Sequence, residues 1–173
     1  MIFKKFLIIS FIFFTSQTYL SANTVYFLDT KMILNKSTAG KKAQGFLKKK
    51  LEQGSKDIAN KEKNLLEEEK KIIEQKKVLS NDEYKKKVNE LRKKVSSLQK
   101  ERVSLLKEVS EKRAKAKKKL LETLNPIVKK HMIDKNIQIV LDKKSVLLAD
   151  DSLDITKEII ELLNKELKSI NLN

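Results

Sequence analysis

The sequence predicts an α+β fold, mainly α, in which a long antiparallel helical hairpin projects from a small β base. Two observations favour this fold. Residues 41–124 are densely charged, contain no proline and carry apolar residues at heptad spacing. Short apolar runs rich in β-forming residues flank this stretch, near residues 25 and 140. The hairpin is therefore inserted between two parts of one base.

The chain divides into three predicted parts. Residues 1–22 resemble a secretory signal peptide, because Lys4 and Lys5 precede the apolar run 6–14, which is too short to span a membrane comfortably. We expect cleavage after Ala22. Residues 23–40 and 125–173 form the base, and residues 41–124 form the arm. The chain has no cysteine, so it must hold together by packing alone outside the cytoplasm.

In the first part of the base, residues 25–28 predict a buried strand and residues 30–38 a helical turn or two. The arm follows, and its first helix has an apolar residue every seven positions: Leu51, Ile58, Leu65, Ile72 and Leu79. The second helix steps by four and three through Tyr84, Val88, Leu91, Val95, Leu98, Arg102, Leu105 and Val109. Between the two series, Ser80 and Glu83 have the spacing of a capping box, which predicts a tight tip.

Pro126 disfavours helical geometry at Asn125, so we expect the arm to end or kink there, with a further turn or two over 127–132. Residues 137–141 predict a second strand, residues 142–145 a hairpin turn and residues 146–149 a third strand. An amphipathic helix is expected from Ile155 to about Ser169.

Three short strands with bare edges predict self-association, closing strands of several chains into a barrel or a continuous sheet. The residues expected at this contact are Val25, Phe27, Ile137, Ile139, Leu141, Val146 and Leu148.

The sequence is poor in catalytic chemistry, and we expect neither an enzyme nor a cofactor or metal site. His131 is the only histidine, and beside Lys129 and Lys130 it is best interpreted as a packing or solvated residue. Ser145 and Asp142 lack a base to complete a nucleophilic site. Residues 150–154 carry three aspartates but not the glycine and distal glutamate of a calcium loop, so a turn with a helix cap is the better account.

The net charge of +16 is concentrated in the arm, where 27 Lys and Arg face 14 Asp and Glu, whereas residues 125–173 have eight of each. One interpretation is a solvated coiled-coil surface. A second is attraction of acidic partners, including anionic polypeptides, lipopolysaccharide and phospholipid. Nucleic acid is disfavoured by the export signal and by the scarcity of aromatic residues along the arm.

Several apolar residues lie beside the heptad seam. They either widen the contact between the helices or form a broken apolar lining suited to weak, distributed contact with non-native chains. The apolar candidates are Leu66, Ile73, Val78, Val103, Leu106 and Leu121. All but Leu121 are candidate contacts to a bound non-native chain, which we call a client. The lysines proposed to act with them are Lys70, Lys71, Lys76, Lys77, Lys85, Lys86 and Lys87.

The whole layout after residue 22 resembles the Skp/OmpH family of periplasmic chaperones. The resemblance is carried by residues 25–29 (VYFLD), 39–43 (AGKKA) and 137–160 around the charged hairpin. It implies a homotrimer with a central β-barrel and three arms around a cavity. That cavity would hold unfolded outer-membrane β-barrel proteins without ATP. A link to lipopolysaccharide is also implied, without assignable residues.

A competing hypothesis is a structural coiled-coil protein of the cell envelope that binds lipopolysaccharide or the anionic membrane surface and handles no clients. It predicts affinity for the anionic surface and no suppression of aggregation. A histone-like nucleic-acid binder would require that the signal peptide does not function.

Overall fold

The base contains a two-stranded parallel sheet. The computed structural model describes residues 24–172, so the predicted signal peptide lies outside the described residues. Strand β1 (Val25–Leu28) pairs with β2 (Ile139–Asp142), and Val25 lies opposite Ile139. The two apolar runs that flank the hairpin in the sequence are thus neighbours in space, although Ile137 and Gln138 precede β2 and are not part of it.

The predicted third strand at 146–149 is wrong, and so is the hairpin turn before it. The Asp142 carboxylate accepts a hydrogen bond from the Lys144 amide at 3.0 Å, at the start of a single 3-10 turn over Lys143–Ser145. The chain then continues without strand pairing, and Leu147 and Leu148 are 95% and 91% exposed. The turn therefore leads the apolar run away from the sheet.

Four helices make up most of the described chain. They are α1 (Thr30–Lys36), α2 (Thr38–Glu74), α3 (Asn81–Asp134) and α4 (Thr156–Glu166). The first two are capped by Asp29 and Ser37, whose side chains accept amide hydrogen bonds at 2.7 and 3.2 Å. Helices α2 and α3 form the predicted hairpin, and at 1.5 Å per residue α2 is about 55 Å long.

The tip of the hairpin is built by the predicted capping box. After a 3-10 turn at Gln75–Lys77, the Ser80 hydroxyl accepts a hydrogen bond from the Glu83 amide at 3.3 Å. The Glu83 carboxylate in return accepts from the Ser80 amide at 3.0 Å. The hydrogen bonds from Ser80 hold the pKa of Glu83 below its usual range. Helix α3, the second helix of the hairpin, therefore begins at a fixed position.

Helix α3 does not end at Pro126 but continues to Asp134. Proline removes one backbone hydrogen bond and crowds the carbonyl four residues earlier, which destabilises a helix interior. Leu120, Leu124 and His131 lie on either side of Pro126 and are all buried on the base. Their packing offsets the loss, and the turns expected over 127–132 are part of the same helix.

The main core lies where the hairpin enters the base. Ile33, Ile159 and Leu163 are fully buried, and Leu28, Ala39, Leu120, Leu124 and Ile155 complete the cluster. It is therefore built from β1, α1, the foot of the hairpin and α4 together. Full burial of an aliphatic side chain contributes about 1.5–3 kcal/mol, so this cluster fixes the arm to the base.

A hydrogen-bonded junction joins β1 to α4. Asp154 forms an isolated bridge with Phe27, and its carboxylate accepts from the Thr156 amide at 2.9 Å. The Thr156 hydroxyl accepts from the Asp29 amide at 2.8 Å, and Lys143 Nζ lies 3.4 Å from the Asp154 carboxylate. Desolvation raises the pKa of Asp154, but the hydrogen bonds that its carboxylate accepts from the Thr156 hydroxyl, the Thr156 amide and Lys143 lower it by more, so its pKa lies below its ordinary value of 3.8.

Acid should destabilise this junction. A carboxyl group whose pKa is lower in the folded chain contributes stability that is fully present above 3.8 and is lost as the pH falls through the lowered value. We expect the urea midpoint to drop as the pH falls below 3.8, and Asp154→Asn to reduce that drop. Helix content measured during urea titration at each pH would give the midpoints and test this. An identical drop in wild type and variant would contradict the role of Asp154.

Candidate functional site

An apolar seam holds α2 and α3 together. Ile58, Ile72, Leu98 and Val109, all members of the predicted heptad series, are 6 or 7% exposed. Gly54 admits close packing, because a Cβ added there would lie 2.6 Å from a methyl of Leu105. The heptad interpretation of the arm is therefore confirmed along most of its length.

Ion pairs cross one side of the seam, which we call the bridged flank. Lys50 Nζ lies 2.9 Å from the Glu108 carboxylate, Lys61 lies 2.5 Å from Glu101, and Lys94 lies 2.6 Å from Glu68. The hydrogen bond from Lys50 lowers the pKa of Glu108. Exposed ion pairs contribute little stability, so these pairs report how the two helices are aligned more than they hold them together.

The C-terminal segment also lies on the bridged flank. Leu172 is buried beside Ala43, Leu47, Val109 and Ala116, and Lys112 Nζ donates a hydrogen bond to its carbonyl oxygen. Ala43 and Ala116 are small and leave space in the seam near the base, and the Leu172 side chain fills this space.

The closing helix, expected to reach about Ser169, ends at Glu166, and the chain after it runs along α3 instead. Sequence reasoning missed this packing. The available signal was Ile170 and Leu172 at alternate positions, which is the spacing of an extended apolar segment.

The opposite side of the seam, which we call the open flank, carries most of the exposed apolar residues. Leu66, Ile73 and Leu106, all predicted candidates, are 58, 57 and 56% exposed there, as judged from their helical spacing. Val95, predicted on the seam, joins them at 51%. The ion pair that crosses this flank joins Arg102 and Glu62.

The remaining apolar candidates lie elsewhere. Val103 is 58% exposed on α3, and Val78 is 81% exposed at the tip. Leu121 is half-buried against the main core. It therefore fits the interpretation in which these residues widen a packing contact.

The candidate lysines surround the tip and do not converge on one site. Six of them are exposed, whereas Lys87 is half-buried and donates a hydrogen bond to Gln75 Oε1 at 3.0 Å. Lys76 Nζ lies 5.9 Å from the centre of the Tyr84 ring, where the ring face attracts the ammonium. The tip is therefore a diffuse basic surface.

Two grooves open on the open flank. The distal groove, about 560 Å³, lies between Leu66 and Val95 and is edged by Arg92, Arg102, Glu62 and Glu69. The basal groove, about 810 Å³, has Leu51 and the buried seam residues as its floor. Its charged lining residues are all cations: Lys41, Lys48, Arg113 and Lys117.

The outer face of the sheet is partly uncovered. Val25, Ile139 and Leu141 are 38, 45 and 41% exposed, while Tyr26, Leu28 and Val140 pack on the core. Among the other residues predicted at a contact between chains, Phe27 and Ile137 are buried, Val146 is half-buried and Leu148 is exposed. The single chain thus presents an apolar face beside an open edge of β2.

Other kinds of site find little support within residues 24–172. None of the helices described there has the length and apolar character needed to cross a membrane. The same residues contain no group of three or more His, Asp or Glu side chains placed to hold a metal ion. His131 is buried, with Nε2 3.2 Å from the Glu158 carboxylate, which agrees with a packing role.

Comparison with solved structures identifies the same architecture in another protein. A crystal structure from Caulobacter crescentus CB15, described as a candidate outer membrane chaperone (OmpH-like), matches with a TM-score of 0.80 and 21% sequence identity. The match covers 87% of this chain and 89% of that one. No curated protein sequence matches the chain significantly.

Comparison with family models gives the assignment. The family described as outer membrane protein (OmpH-like) matches residues 24–163, which include both strands, the whole helical hairpin and most of α4. Because this match covers well over half of the chain, the protein belongs to the OmpH-like family.

Proposed function

We propose that the chain is an ATP-independent holdase chaperone of the periplasm. It binds unfolded outer-membrane β-barrel proteins between basic helical arms and prevents their aggregation on the way to the outer membrane. The observation that carries this proposal is the arm itself, on which single exposed apolar residues such as Leu66 and Leu106 stand among many cations. Such contacts are individually weak, so a client is held without being trapped.

The proposed assembly is a homotrimer whose sheets join through the outer face of β1 and β2. Support comes from the partly exposed Val25, Ile139 and Leu141 and from the open edge of β2. Several arms projecting from one base would enclose a space that adapts to clients of different size. The predicted division into signal peptide, base and arm remains part of this proposal.

Light scattering tests the function directly. An unfolded outer-membrane β-barrel protein is diluted from urea with and without the mature chain, while sedimentation gives the mass of the chain. Suppressed scattering by a species of about three chains would support the holdase. Continued aggregation beside an intact trimer would favour the alternative, an envelope protein that binds lipopolysaccharide or anionic membrane.

Reversing charge at the tip should slow client capture. In Lys76→Glu, Lys77→Glu, Lys85→Glu, Lys86→Glu we expect the association rate for an acidic client to fall about tenfold at low salt and to depend less on salt. Stopped-flow fluorescence measures this. The matched control reverses the exposed base lysines Lys130, Lys157, Lys165 and Lys168. Equal rates in both variants would mean that net charge, and not the tip, determines capture.

A further inference from the structure

The two flanks of the arm differ in what they can bind. On the bridged flank, three ion pairs cross the seam and the C-terminal segment packs beside it. On the open flank, one ion pair crosses the seam and the two grooves remain uncovered. The bridged flank has a smaller groove of about 270 Å³ between Lys61 and Lys94, so a polypeptide that approaches the arm finds more accessible apolar surface on the open flank.

The chain itself indicates what fits beside this seam. The segment with Ile170 and Leu172 is neither helix nor strand, and it places these two apolar residues near Ala43, Leu47, Val109 and Ala116. The same four residues form part of the floor of the basal groove on the other side. The same four residues therefore lie beneath the C-terminal segment on one side and beneath the basal groove on the other, so one side of this cluster already holds a non-helical segment of polypeptide.

The cations of the basal groove select the charge of its occupant. Lys41, Lys48, Arg113 and Lys117 are all exposed, and no acidic side chain lines the groove. Lys48 has a loose contact of 3.7 Å with Glu52, and the other three make no ion pair within residues 24–172. Carboxylates of a bound segment would therefore find cations that are not already neutralised.

The dimensions of the open flank suit an extended chain. The basal groove runs from Lys41 to Leu51, about 15 Å along α2, which about five extended residues would cover. The distal groove begins at Glu62, about 17 Å beyond Leu51 along α2, or about five extended residues away. Leu106 lies exposed between the grooves, so apolar contacts recur along the path.

We propose that the open flank is the polypeptide-binding side of the arm, with the basal groove as its anchor. The occupant is an extended segment of a non-native chain with apolar side chains at alternate positions and acidic residues between them. This proposal rests on the holdase function and gives its client contacts a defined side. Strands of outer-membrane barrels have that alternation, because successive side chains face lipid and lumen.

The absence of cysteine permits a test with single labelled positions. Lys117→Cys places a benzophenone photo-crosslinker in the basal groove, and Lys115→Cys places it on the bridged flank near the C-terminal segment, with the same loss of one charge. Gln99→Cys and Ser97→Cys form a second pair beside the distal groove and on the bridged flank. The two positions of each pair lie only about 3 Å apart along α3.

The probe is a dye-labelled peptide of alternating leucine and glutamate, added to the full mature chain. We expect about fivefold more cross-linked product from Lys117→Cys than from Lys115→Cys, and from Gln99→Cys than from Ser97→Cys. This is the ratio in binding that one or two exposed ion pairs would provide. Replacing glutamate by lysine in the peptide should remove the preference. Equal yields from both flanks would overturn the proposal.

Other occupants give distinct results that also overturn it. Chain-to-chain cross-links from Lys117→Cys without peptide would show that a second copy covers the groove. Cross-links to vesicles of anionic phospholipid, but not to the peptide, would identify a lipid site. The proposed function has its own readout, since light scattering with the unlabelled wild type does not depend on which flank binds the peptide.

Discussion

Ile139→Asp is expected to convert the assembled protein into monomers. Ile139 is 45% exposed on the outer face of the sheet, between the equally uncovered Val25 and Leu141. If this face is covered by another chain, a carboxylate there loses its water and gains no partner, which costs several kcal/mol at each contact. We expect the dissociation constant of the assembly to rise by about a thousandfold or more.

Sedimentation velocity over a range of concentrations measures this change. Gln138→Asp is the matched control, because it adds the same charge one residue earlier, at an exposed position outside β2. The helix content of both variants should equal that of the wild type, since Ile139 is not part of the main core. A trimer that survives Ile139→Asp would remove the sheet face from the proposed interface.

Gly40→Ala should cause the largest loss of stability among small substitutions in α2. A Cβ at Gly40 would lie 1.9 Å from the carbonyl oxygen of Leu34 and 2.9 Å from the Ser37 hydroxyl. The obstacle is backbone, so relief requires moving α1 away from α2. Forcing extra atoms into a packed site costs typically 1–3 kcal/mol, and we expect about 3 kcal/mol here.

Gly45→Ala is the control, and its effect should have the opposite sign. No atom lies within 4 Å of a Cβ built at Gly45, which is exposed in the third turn of α2. Alanine is favoured over glycine in a helix by about 1 kcal/mol, so this variant should be more stable than the wild type. Urea unfolding monitored by circular dichroism compares the two. A loss of equal size in both would mean that the contact with Leu34 is not the cause.

Much of the fold could be predicted because its rules are local. Heptad spacing defines the seam of each helix from residues such as Ile58 and Leu98, and the capping box at Ser80 and Glu83 needs only four residues. The pairing of β1 with β2 followed from two apolar runs on either side of one insertion. In each case the information lies within one short segment or in a pair of similar segments on either side of the hairpin.

Features that depend on several segments at once were missed. Leu147 and Leu148 have the composition of a strand, but the turn chemistry of Asp142 before them and of Asp150 after them decided their path. The position of Leu172 depends on space that Ala43 and Ala116 leave in two distant helices. Neither the path of Leu147 and Leu148 nor the position of Leu172 can be predicted from a short stretch of neighbouring residues.

The difference between the flanks was also beyond sequence reasoning. Heptads place Val95 on the seam and Leu66 beside it, but they do not say which cation of one helix meets which acid of the other. That depends on the axial alignment of α2 and α3, which the loop from Gln75 to Ser80 determines. Candidate client contacts could therefore be named from the sequence, but not the side of the arm on which each lies.

The parallel pairing of β1 with β2 also affects how the chain acquires its structure. β1 leaves the ribosome long before β2 is synthesised, because the entire hairpin separates them in the sequence. Closing so long a loop by random encounter is entropically unfavourable. Once the turn at Ser80 nucleates the hairpin, successive local contacts shorten that loop step by step and deliver β2 beside β1. The arm is thus also the device that brings the two ends of its own base together.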